Sequence, residues 1–429
     1  GACVKIDKAT EQAIIVLESA QATSSDVVEG SLIGSQMFTG GVGGLFPAAM
    51  NALHIQILIK YCNANYPSIV ESFFNAATKS AGDESSSSDS GLIPELTKLI
   101  KSIKGENYLS KYGRFKVFRK STSFLTNAGS PMISSLASLL LIGIIRIFKY
   151  LLKSSQKLAP KIENILNTFE WNMTFNFING AQVKFALAWC LQFGEPVYDV
   201  YGIINLVFAV VVLVVVVVVS VVSISFSTWN WNTVINEAFL SKKRLETLSI
   251  RQKKFACLHH PYVVEFSLGR YFYLVQAIKN TLFVVIIYVY QGHAIEQSYL
   301  LLFLSIVYTV ILVVGQPFKR KIDLAIVLLN EICLLIEEIL LVIFSINQKT
   351  VLLGEEIMNI IGWVMIGCMV AVLGINGIFI ILSIAIPIFE YFRRKKVNMK
   401  NKVQAKTLAK AKKRSTYQKT RIREIWLED

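Results

Sequence analysis

The chain has 429 residues, of which 53% are apolar and only 17% charged, and its formal net charge is +15. Its mean hydropathy is +0.51. A soluble chain is roughly 25% charged, whereas apolar blocks of about 20 residues match the ~30 Å hydrocarbon thickness of a bilayer, so a soluble multidomain fold is excluded.

The expected class is all-α, a polytopic transmembrane helical bundle of about 8 spans, within a range of roughly 7 to 9. A transmembrane β-barrel is excluded, because uniform runs such as Val210 to Val219 do not alternate. The six cysteines, Cys3, Cys62, Cys190, Cys257, Cys333 and Cys368, show no metal-ligand spacing. A first residue that is not Met, close to Cys3, leads to the expectation that a Cys-bearing ectodomain precedes this chain.

Residues 1–30 form a mixed polar juxtamembrane segment, with a short helix expected around Glu11 to Ala22. The first span, within 31–60, holds Gly40, Gly41, Gly43, Gly44 and Pro47, which predicts a bent or broken helix packed closely on a neighbour. Residues 61–127 read as a hydrophilic loop whose Ser-rich, acidic part, Gly82 to Gly91, is expected to be disordered. It ends in a basic cluster, Lys111, Arg114, Lys116, Arg119 and Lys120.

Residues 128–390 form the transmembrane core. The second span covers Ser130 to Leu152. A third block, Trp171 to Phe193, is interrupted by Asn172, Asn176, Asn179, Gln182 and Lys184, and either crosses against other helices or lies at the interface. The fourth, Ile204 to Phe226, is Val-rich and expected to face lipid. After the basic connection Lys242 to Lys254 come four more: Tyr271 to Tyr290, Tyr299 to Val314, Ile322 to Ile346 and Ile357 to Phe389.

The tail, 391–429, is basic and free of Asp and Glu from Arg393 to Arg423, so the positive-inside tendency places it in the cytoplasm. Arg393, Arg394, Lys395 and Lys396, directly at the membrane exit, are expected to contact anionic lipid head groups. With few aromatics in the tail, nucleic acid is not expected as a partner. The links Gln291 to Gln297 and Asn347 to Glu356 then fall outside.

The sharpest candidate site is in the seventh span. Asp323, Asn330 and Glu337 recur every seven residues, and Glu331 and Glu338 sit one position further on, so one polar stripe is expected on an apolar helix. Carboxylates at membrane depth cost about 2.5 to 3.5 kcal/mol each even on the lenient insertion scale, so they must face a cavity or a partner. Two readings stand side by side: an ion pathway lined by these oxygens, or a structural seam neutralised by Lys279, Lys184 or protonation. Lys279, mid-span in the fifth helix, is expected to pair with one of the glutamates rather than snorkel.

Other candidates are weaker. Cys257, His259 and His260 lack a second ligand group, so no metal and no cofactor is expected. Asn172, Met173 and Thr174 form a glycosylation sequon at a membrane boundary. Gly362, Gly367, Gly374 and Gly377 suggest close helix packing. No Walker loop, GxSxG elbow or HExxH is present, and enzymatic activity is not expected.

Gln316 to Lys321, then Leu329, Asn330 and Glu331, then Gly362 and Trp363, and later Asn376 together resemble the pattern of transient-receptor-potential-like multipass membrane proteins. The likeness is to ciliate-type members with a Cys-rich ectodomain, distantly similar to fungal flavin-carrier-type proteins, and Phe169 to Phe177 fits the start of that helical core. The resemblance implies a cation-channel-related core in a plasma or ciliary membrane, with Asn330 and Glu331 as its matched polar pair. The last outer link, about ten residues, is too short for a re-entrant pore helix and filter, so a permeation path has to run elsewhere. Ion or lipid transport or sensing is therefore the first functional expectation. The rival is a non-conducting membrane anchor, as a homo-oligomer or a subunit of a larger complex.

Overall fold

The computed structural model describes residues 45–80, 108–118, 120–153, 155, 158–169, 172–236 and 267–378. In chain order its helices are α1 (Leu45–Ile59), α2 (Ser68–Ser80), α3 (Gly113–Val117), α4 (Phe124–Leu151), α5 (Ala159–Phe169) and α6 (Asn172–Gly180). They continue with α7 (Gln182–Gly194), α8 (Val200–Asn236), α9 (Ser267–Val289), α10 (Ala294–Gly315) and α11 (Lys321–Thr350), and α12 (Glu355–Ile378). The described residues hold no strand, only an isolated bridge between Leu109 and Ser121. The segment Gly82 to Gly91, Cys257, His259 and His260, and the tail residues Arg393 to Lys396 lie outside the described residues.

Among the described residues, five segments are long and apolar enough to cross a bilayer: Pro131–Leu151, Val200–Val222, Tyr271–Val289, Ala294–Gly315 and Glu355–Ile378. That is fewer than eight, for three separate reasons. The first block is a helix only from Leu45, and its α1 has 15 residues. The third is divided at Ala181 into α6 and α7. The seventh, α11, has 30 residues but carries Asp323, Glu331, Glu337 and Glu338.

Burial sorts the helices by surroundings. On α8 most of the valines point outward, with Val207, Val211, Val214, Val217 and Val218 more than half exposed, while Ala209 and Val219 are buried on the side that meets the bundle. An apolar surface of that extent needs hydrocarbon, not water, against it. The core lies elsewhere, where Phe73, Phe115, Phe283, Ile287, Leu341 and Phe344 are fully enclosed, drawn from α2, α3, α9 and α11.

Short links force neighbours to run antiparallel, and one end of the bundle is tied together by polar contacts. The Asn63 backbone N–H donates to Gln297 at 2.6 Å, Gln291 Nε2 donates to the Tyr61 carbonyl at 2.7 Å, and the Lys111 N–H donates to Glu195 at 2.7 Å. Arg114 closes this capped end: Nε and Nη1 donate to the carbonyls of Lys60 and Ala64, Nη2 meets Glu71 at 3.1 Å, and the guanidinium stacks over Tyr66. Hence part of the segment read as a hydrophilic loop is packed structure. Gly194 is needed where Tyr288 lies against the end of α7, in space a Cβ would occupy. Asp199 hydrogen-bonds Tyr108 and accepts from the Gly202 N–H, capping α8, and these contacts hold its carboxyl below the usual range.

Lys60, also at this end, is pushed down to about 7 by burial and by Lys120, while the rings of Tyr61 and Phe118, 5.0 and 5.5 Å from Nζ, favour its charge. The unfolded chain holds this proton up to 10.5, the folded chain only to about 7. Between those values the unfolded state binds more protons, so stability rises with pH, by at most about 1.4 kcal/mol per unit, and the gain is lost as pH falls to 7. The melting temperature of the purified protein is expected to climb more steeply over this window than that of Lys60→Gln. Parallel curves would contradict it.

Candidate functional site: a polar interior

The third apolar block is not one rod. It breaks at Ala181, and Asn172, Asn176, Asn179 and Gln182 are all buried against protein. A broken helix leaves backbone carbonyls without intrahelical partners, which is tolerated at depth only where protein supplies new ones. Asn51 of α1 does so, donating Nδ2 to the Asn179 carbonyl at 2.9 Å. The Tyr273 hydroxyl on α9 donates to Asn179 Oδ1 at 2.5 Å and accepts from Gln182 Nε2 at 2.7 Å, and Asn280 Nδ2 reaches Gln182 Oε1 at 3.3 Å. The break therefore joins α1, α6, α7 and α9. Since Asn172 is fully buried, the sequon is closed in the folded chain.

One residue before Asn280 sits Lys279, itself 3% exposed. Its Nζ lies 2.9 and 3.0 Å from the two carboxylate oxygens of Glu331 and 4.8 Å from the Tyr308 ring centroid. Pairing, not snorkelling, is what α9 builds. Seven residues along α11, Glu338 accepts from Ser305 Oγ at 2.7 Å, and seven further Ser345 meets Ser298 at 2.7 Å. The matching steps of seven on both helices make a polar seam along the antiparallel α10–α11 contact.

Asn330 and Glu337 face elsewhere. Asn330 exchanges two amide hydrogen bonds with Asn376 of α12, at 3.1 and 3.2 Å, which clamps α11 to α12. Glu337 is fully enclosed beside the Gln56 amide of α1. The single stripe read from the sequence is thus two. Neighbouring residues on a helix are about 100° apart, and that angle sends Glu331 and Glu338 towards α9 and α10 but Asn330 and Glu337 towards α12 and α1. Asp323 belongs to neither. It sits in the first turn of α11 with Arg320 Nε 2.9 Å away, where the helix dipole also favours an acid.

Among the described residues, no group of three or more His, Cys, Asp or Glu is placed to hold a metal ion. The arrangement instead offers a paired acid and base, two further enclosed carboxyls, and a broken helix tied to α9 through Asn280, the residue after Lys279. Such a site can exchange a charged species against an internal counter-ion. Tyr273, Gln56, Ser305 and Tyr308 complete it and carry no motif. Their only signal is a polar atom within an apolar run. Of the four glycines in the eighth span only Gly362 makes a close contact, against Ile69 and Val70 of α2, while Gly367, Gly374 and Gly377 face open space. No family model, curated protein or solved structure matches the chain.

Proposed function

We propose that the chain is an integral multipass membrane protein that transports or senses ions or lipids, with the polar interior of α1, α6, α7, α9, α10 and α11 as its working site. The observation that carries this reading is the enclosed Lys279–Glu331 pair adjoining the broken helix. Ionisable groups at membrane depth are expensive and are retained where a bundle binds or relays charge, and discontinuous helices form such sites in transporters. In the closed pair each partner is the other's counter-ion. A cation competing for Glu331, or an anionic head group competing for Lys279, would release it.

The topology proposed with it has eight crossings: α1, α4, the α6–α7 pair, α8, α9, α10, α11 and α12. Its support is the capped end, where the C-terminal ends of α1, α7 and α9 meet the N-terminal ends of α8 and α10. The positive-inside tendency then puts that end outside and the basic tail in the cytoplasm, where Arg393 to Lys396 meet anionic head groups. The transient-receptor-potential-like assignment, and with it a plasma or ciliary membrane, is proposed on the residues quoted above. Two of them, Asn330 and Asn376, form the α11–α12 clamp.

Cation flux into liposomes holding the full chain tests this reading. Substituting Lys279→Met together with Glu331→Leu keeps the interior neutral and is expected to lower flux about tenfold or more, the effect of ~1.4 kcal/mol. Unchanged flux would remove the pair from the mechanism. The rival, a non-conducting anchor or subunit, is favoured by the completeness of the ion pair, which leaves Glu331 satisfied inside the bundle. Absence of flux in the wild type, with stoichiometric partner chains co-purifying from native membrane, would select it.

A further inference from the structure

We infer that Glu337 is a proton-binding site of this interior, carrying an exchangeable proton in the closed arrangement. The inference rests on the reading of α11 as the working helix and names the species that helix exchanges.

Among the described residues neither oxygen of Glu337 has a hydrogen-bond partner within bonding distance, and the residue is fully enclosed. An ionised carboxylate there would be enclosed in the bundle without a counter-ion, with only the neutral Gln56 amide of α1 beside it. An amide dipole does not cancel a buried charge, whereas one proton on the Glu337 carboxyl removes it.

The charge count agrees. Among the described residues, three carboxyls of α11, those of Glu331, Glu337 and Glu338, share the interior with the Lys279 ammonium, and Glu331 holds that ammonium with both oxygens. Glu338 has the Ser305 hydroxyl and lies within the field of Lys279. Glu337 has neither. Among the described residues, the titratable groups around it are Glu338 and Cys333 on α11, Cys368 on α12, and Tyr66 beyond α1. All are acids, and none supplies a positive charge. Arg114 acts on Tyr66 and Cys62 at the capped end. His54 lies two residues before Gln56, about 200° round α1 from it. A metal cation fits less well, because the described residues place no three acidic, thiol or imidazole ligands together.

Infrared spectroscopy of the full chain in liposomes reads the proton directly, as the carbonyl stretch of a neutral carboxylic acid. That band is expected in the wild type at pH 7 and is expected to diminish in Glu337→Gln, which mimics the protonated acid and should fold as the wild type does. It should persist in Lys279→Met with Glu331→Leu. Absence of the band in the wild type, or a band unchanged in Glu337→Gln, overturns the inference. A melting temperature that rises with sodium or potassium at fixed pH, and no longer does so in Glu337→Gln, also overturns it by assigning the site to a metal cation. The band is independent of flux: a liposome that shows the band and no flux sinks the transport reading and leaves the proton site standing.

Discussion

Replacing Lys279 by Met is expected to destabilise the protein by about 3 to 5 kcal/mol, the cost of leaving the partner of a buried ion pair uncompensated. Glu331 would keep its carboxylate in an enclosed interior where, among the residues described, Lys279 Nζ donates to both of its oxygens. The Tyr308 ring offers no relief, because its face favours a cation and not an anion. Adding Glu331→Leu is expected to recover most of the loss, since well-packed apolar replacements of buried pairs are close to neutral. Unfolding in detergent of the wild type, the two single variants and the double variant measures the coupling. A single Lys279→Met no less stable than the double would contradict the account.

The second large effect is expected at Tyr273. Its hydroxyl serves both sides of the broken helix, donating to Asn179 and accepting from Gln182. Tyr273→Phe therefore leaves two buried polar groups short of a partner at the point where α6 and α7 separate. Interhelical hydrogen bonds in membranes average only about 0.6 kcal/mol, while an orphaned buried group costs roughly 1 to 3 kcal/mol, so a loss near 2 kcal/mol is expected. Thr281→Ala on the same helix makes a suitable control, because its exposed hydroxyl bonds the Ala277 carbonyl within its own helix. Equal losses in the two variants would mean that the break is not held by this network.

The apolar helices were legible because length and mean hydropathy alone pick them out: α4, α8, α9, α10 and α12 follow long, predominantly apolar runs. The break at Ala181 was not. Asn172, Asn176, Asn179 and Gln182 mark a weak span, but whether their amides meet protein or head groups depends on α1 and α9, which are distant in sequence. The acids of α11 were legible as residues and as a seven-residue repeat. Their division was not, because the repeat fixes position along one helix and says nothing of what packs on either side. Gln56 illustrates the limit, being an amide within an apolar run that gains meaning only beside Glu337. In the segment 61–127, Ile69, Val70, Phe73 and Phe74 do carry helical spacing, and that signal places α2 against α12.

The central claim is that the carboxyls of α11 lie within the lipid-embedded part of the bundle and are masked there by protein. A density map of the full chain in lipid nanodiscs tests it most directly, because the lipid belt marks the bilayer independently of sequence. The account predicts a belt that encloses the level of Glu331, Glu337 and Glu338, with Lys279 against Glu331. A belt that leaves these residues beyond the head groups, facing water, would contradict it.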